Sequence, residues 1–124
     1  MIYTRFSKPV RRIFLILALL LALAILIISL VPTMPAPHLG HADKYEHLAA
    51  YLGLGLLAMP ALARLHPSQV WLGLAGYGVL IEILQGTLTE TRSADPMDAL
   101  ANAGGAFLAV LVWGGVSRFL LRKK

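Results

Sequence analysis

Cysteine is absent from the 124-residue chain, which excludes disulfides and any thiolate metal site. Charge is scarce too. Charged residues make up 14% of the chain against 58% hydrophobic, where an ordinary globular domain has about 25% charged residues. No acidic residue precedes Asp43 or follows Asp98. Mean hydropathy is +0.74, and apolar runs of membrane-spanning length occupy most of the chain, leaving no room for a soluble domain. A net charge of +5 does not point to nucleic acid. Its cations cluster before the first apolar run (Arg5, Lys8, Arg11, Arg12) and after the last (Arg118, Arg122, Lys123, Lys124). That placement suits anionic lipid headgroups and topology setting.

What is present reads as an all-α membrane protein, a bundle of four transmembrane helices. The spans fall at about 13–31, 47–63, 70–88 and 96–117. They form one domain over 13–117, flanked by a basic N-terminus (1–12) and a basic tail (118–124). The first run exceeds a signal-peptide core of about 7–15 residues and lacks a small-x-small cleavage site, so it reads as an anchor. Pro32, Pro35 and Pro37 then hold the chain extended. Asp43 and Asp95 read as helix N-caps, the second followed by Pro96 at the first helical position. Trp71 and Trp113 read as interface anchors. Segments 1–12, 64–69 and 118–124 hold nine of the eleven lysines and arginines; the alternate connections hold only Lys44 and Arg92. The positive-inside rule then puts both termini in the cytoplasm.

Helical spacing sorts the polar residues into stripes. Asp43, His47 and Tyr51 share one face; Glu82 and Gln85 continue a face with Ala75 and Gly78; Asp98 and Asn102 continue one with Gly105 and Ala109. Small residues allow close helix approach, so the last two stripes should face the bundle interior. Glu82 lies about six residues inside its span, roughly 9 Å deep. A charge near a helix centre costs about 2.5–3.5 kcal/mol. Glu82 should therefore be protonated, paired with Arg92 or Lys44, or in contact with a water-filled cavity.

Structural roles are open for the same residues. Asp43 and Asp95 serve as caps, Asp98 favours a helix dipole, Asn102 bonds across helices, and Lys44 snorkels. His47 with Asp43, Glu82 or Asp98 offers one nitrogen and several oxygens to a metal, but no His-x-x-x-His or His-Glu-x-x-His pair occurs, so no metal and no cofactor are expected. Ser93 lacks a nucleophile elbow. Acid–base work by His47 and Glu82 is the chemistry the residue types allow.

Asp43-Lys44-x-x-His47-x-x-x-Tyr51, Glu82-x-x-Gln85, Arg92 and Asp98-x-x-x-Asn102-x-x-Gly105 resemble the VanZ-like family over about residues 43–110. Thr89-Glu90-Thr91 departs from the Pro-Gly-type turn of that family, leaving the loop geometry open. The resemblance implies a multi-pass protein of the bacterial inner membrane, accessory to glycopeptide (teicoplanin) resistance in its namesake. The expected site is an outward-facing pocket of Asp43, Lys44, His47, Glu82, Gln85, Arg92, Asp98 and Asn102. It would bind an anionic envelope lipid or a glycopeptide-related ligand, with Arg92 and Lys44 attracting the anion. An enzyme acting on a lipid headgroup through His47 and Glu82, and a structural subunit of a membrane complex, are the rival readings.

Overall fold

The computed structural model describes residues 6–32 and 42–122. Their regular structure is four α-helices: α1 (Lys8–Leu30), α2 (Ala42–Ala61), α3 (Pro67–Leu88) and α4 (Pro96–Arg122). Four helices follow in the expected order, but α1 begins at Lys8 and α4 runs to Arg122, so both extend into the basic ends read as flanks. Pro35, Pro37, His38 and His41 lie outside the described residues.

The local start signals act largely as their chemistry dictates. Asp95 Oδ1 accepts the Met97 N–H at 2.8 Å, satisfying one of the four donors a helix start leaves open. His66 and Gln69 close a capping box at the start of α3, with Pro67 at its first position, where a missing N–H does no harm. Asp43 differs from expectation. Helix α2 begins at Ala42, so Asp43 belongs to its first turn and is not the residue before it.

Three helices, α1, α3 and α4, are long and apolar enough to cross a membrane. The chain therefore reads as a multi-pass membrane protein. Helix α2 has a comparable length of 20 residues, but Asp43, Lys44, Glu46 and His47 crowd its first turns and lower its hydropathy. Large apolar side chains such as Ile13, Ile16, Leu19, Leu72, Leu100 and Phe119 are exposed. A soluble monomer rarely presents so much contiguous apolar surface; lipid accommodates it.

Close approach of α2 and α4 organises the bundle. A Cβ on Gly105 would collide with the Leu48 carbonyl, and one on Gly55 would lie 2.5 Å from the Ala109 Cβ. Only glycine permits these backbones to lie so near, as the small-residue stripe on α4 anticipated. Helix α1 packs on α2 through Ala18 and Ile25 beside Tyr51 and Leu54. Two side chains of α3 tie it to α1: Tyr77 donates to the Ala22 carbonyl at 2.5 Å, and Gln85 donates to the Ser29 carbonyl at 3.0 Å. Trp113 is buried, stacked on Phe6 at 6.0 Å and packed with Ala58, Met59 and Val70. It is a core residue, not the interface anchor expected of it. The opposite end from the acidic residues is cationic. Lys8, Arg11, Arg12 and Arg64 line one cavity there, and Arg11 donates to the Ala61 carbonyl at the end of α2.

Candidate functional site

Helices α2, α3 and α4 each deliver polar side chains to one end of the bundle, the end where α2 and α4 begin and α3 finishes. The site is anchored by Lys44. Its ammonium contacts Asp43 at 3.2 Å, Asp95 at 2.6 Å and Asp98 at 2.5 Å. Hydrogen bonds donated to Asp95 and Asp98 hold the Lys44 ammonium well above its ordinary pKa. The same ammonium pulls the Asp95 carboxyl below its usual range. Lys44 is thus committed to three aspartates and is not available to an incoming anion, contrary to the role expected of it.

One turn deeper lies His47. Its Nδ1 is 2.9 Å from the Asn102 Oδ1, and its Nε2 is 3.6 Å from the Asp98 Oδ2. An amide oxygen can only accept, so Nδ1 carries the proton in this arrangement. Asn102 is fully buried and lies against Gly78, where a Cβ would come within 2.9 Å of the Asn102 Cβ. The glycine of the α3 stripe is what lets the asparagine reach the ring.

Glu82 is 4% exposed. Its Oε2 accepts the Asp95 backbone N–H at 3.1 Å. Its Oε1 is buried with no hydrogen-bond partner among the described residues, and His47 Nδ1 lies 3.9 Å away. Pairing with Arg92 or Lys44 is not what the structure gives. The start of α4 brings a backbone N–H to the carboxylate, while the aspartates occupy Lys44.

Gln85 is buried but directed to α1, where it bonds the Ser29 backbone; its part is to join helices. Arg92 lines a cavity of about 160 Å³ between α1, α2 and α3. Ile25, Ile28 and Ile81 form an apolar wall of that cavity, with Ser29, Glu46 and His47 among its polar residues. Among the described residues the Arg92 guanidinium has no ion pair or hydrogen bond. The expected set therefore divides in three. Lys44, His47, Glu82, Asp98 and Asn102 form a cluster with Asp43 at its exposed edge, Arg92 opens onto the cavity, and Gln85 stands apart.

No family model, curated protein or solved structure matches this chain. The site is accordingly read from its own geometry. Sequence reasoning did not find Ser29 or Glu46. Ser29 had a signal, being the single hydroxyl of the α1 run. Tyr51, on the same stripe as His47, is buried beside Tyr77 and also borders the cavity, its hydroxyl without a partner among the described residues. His47, Glu82 and Asp98 each bring one potential metal-ligand atom to within 4.8 Å of the others. Motif spacing could not show this, because the three come from three helices.

Proposed function

We propose that the chain is a VanZ-like protein of the bacterial inner membrane that crosses it four times, with both termini cytoplasmic. Its outward pocket holds the anionic headgroup of an envelope lipid. The observation that carries the pocket reading is the cavity itself, which joins an apolar wall of Ile25, Ile28 and Ile81 to polar groups at His47 and Arg92. A lipid is amphipathic in the same sense. Its phosphate or carboxylate would meet the Arg92 guanidinium, whose planar fork suits both bidentately. A cavity of about 160 Å³ admits a headgroup, and acyl chains would continue along the exposed apolar face of α1.

Orientation rests on the concentration of lysine and arginine in 1–12, 64–69 and 118–124. The fourth crossing rests on the length of α2, about 30 Å at 1.5 Å per residue. Accessory action in glycopeptide resistance rests on the residue pattern of 43–105 that resembles the VanZ-like family. The test replaces Arg92 with Ala and Glu82 with Gln separately, with membrane abundance monitored. Loss of the envelope or drug-susceptibility phenotype at normal abundance is expected. Full retention in both variants would remove the pocket reading.

A second reading, an enzyme on a lipid headgroup, is favoured by one observation: the unpartnered Glu82 Oε1 lies 3.9 Å from His47 Nδ1, a separation that substrate binding can tighten to hydrogen-bond reach. Purified protein incubated with extracted lipids should then yield a changed headgroup by mass spectrometry, lost in His47→Gln. The structural-subunit reading instead requires Glu82→Gln to lower stability in detergent in proportion to any functional loss.

A further inference from the structure

His47, Glu82 and Asp98 present an arrangement that the anion-binding reading leaves unexplained. With the Nδ1 proton given to Asn102, the Nε2 lone pair faces the Asp98 Oδ2 at 3.6 Å. Two acceptors opposed in this way repel unless a proton or a metal cation lies between them. Glu82 adds a third acceptor, an Oε1 atom buried without a partner among the described residues, on a side chain only 4% exposed. A buried carboxylate oxygen left without a partner carries a desolvation cost that water offsets for an exposed one.

We infer that His47, Glu82 and Asp98 bind a divalent transition-metal cation, with zinc and manganese the fitting classes. One imidazole nitrogen and two carboxylate oxygens suit both ions. Ligands about 2.1 Å from a common ion stand roughly 3.0–4.2 Å apart, from neighbouring to opposite positions. The His47 Nε2–Asp98 Oδ2 distance of 3.6 Å falls inside that range, while Glu82 Oε1 stands 3.9 Å from the other ring nitrogen, Nδ1. The widest limit among the ligand atoms, 4.8 Å, needs a closure of about 0.6 Å, within reach of a carboxylate rotation. Asn102 plays the supporting part that metal sites require, fixing the ring and its tautomer through the other nitrogen. Lys44 does not oppose the cation, because Asp43 and Asp95 share its charge with Asp98. Its bond to Asp98 Oδ1 leaves Oδ2 turned to the site. The inference rests on the pocket reading for its purpose: a bound metal would give an anionic headgroup a second point of attachment beside Arg92.

The test uses full-length protein in detergent micelles, stripped of metal by chelation and titrated with Mn²⁺ or Zn²⁺ alone. One ion per chain is expected, with His47→Gln and Glu82→Gln each weakening binding at least tenfold. Glu90→Gln, an exposed carboxylate in the connection before α4, leaves binding unchanged. Pulsed electron paramagnetic resonance of the Mn²⁺-loaded wild type should show coupling to one imidazole nitrogen, a readout that does not depend on the variants folding. Wild type that binds neither ion more tightly than about 1 mM, or that shows no nitrogen coupling, overturns the inference, as does unchanged affinity in both variants. Anionic-lipid binding measured in the presence of chelator separates the two readings. Lipid retained without metal binding removes the metal site alone, and metal bound with no lipid at any condition removes the lipid pocket alone.

Discussion

Lys44 on α2 and Asp98 on α4 meet at 2.5 Å across 54 residues of sequence, and this pair closes the polar end of the bundle. Asp98 is largely buried, and the same ammonium reaches Asp95 at the start of α4. Lys44→Met should therefore leave a buried carboxylate without its partner. A loss of about 1–3 kcal/mol is expected, read as a lowered thermal midpoint in detergent; an unchanged midpoint would mean the pair is not formed.

The same contacts set a pH window. Hydrogen bonds donated to Asp95 and Asp98 raise the Lys44 pKa above its ordinary 10.5, so its contribution is complete below that value and fades as pH rises through the raised one. Lys44 lowers the Asp95 pKa below 3.8, so that contribution is complete above 3.8 and fades as pH falls through the lowered value. Stability should be flat from about pH 5 to pH 9 with respect to these two groups. Unfolding followed across pH in wild type and Lys44→Met checks this: the variant should lose less stability at both extremes.

Two adjacent glycines provide a controlled comparison. Gly105→Ala drives a methyl into the Leu48 carbonyl, whereas Gly104 has open space around it. Overpacking of backbone against backbone costs about 1–3 kcal/mol, while alanine in a helix gains up to about 1 kcal/mol over glycine. Gly105→Ala should lower the thermal midpoint and Gly104→Ala should hold or raise it. Equal midpoints would deny the close α2–α4 contact.

Much of this fold was legible in the sequence because its signals are local. Runs of apolar length, the Asp95-Pro96 start and the stripe of Gly105 with Ala109 each depend on residues within a few turns. The cluster was legible in part for the same reason: His47, Glu82, Asp98 and Asn102 lie on stripes whose facing could be inferred. Partner choice was not. The Glu82 bond to the Asp95 N–H and the Gln85 bond to the Ser29 carbonyl use backbone groups, which every residue carries and no sequence pattern marks. Lys44 has three aspartates near it only because two helix starts converge. Burial of Trp113 escaped because α4 is apolar on most faces around it, leaving no polar side to show which way the ring turns.

Gln85→Ala separates helix joining from ligand binding. It removes the bond to Ser29 on α1 and should cost about 1 kcal/mol, read as a lowered thermal midpoint in detergent. Lipid retention should hold, because the Gln85 amide is not among the groups lining the cavity. Lost retention at unchanged stability would put Gln85 back in the pocket.

The most direct test of the pocket is the lipid it carries. Native mass spectrometry of the full chain released from membranes should show wild type retaining one anionic lipid, and Arg92→Ala retaining it at least about tenfold less. Wild type that carries no anionic lipid in preference to neutral ones, or Arg92→Ala that carries it equally well, would contradict the claim that Arg92 and the cavity beside it form a headgroup site.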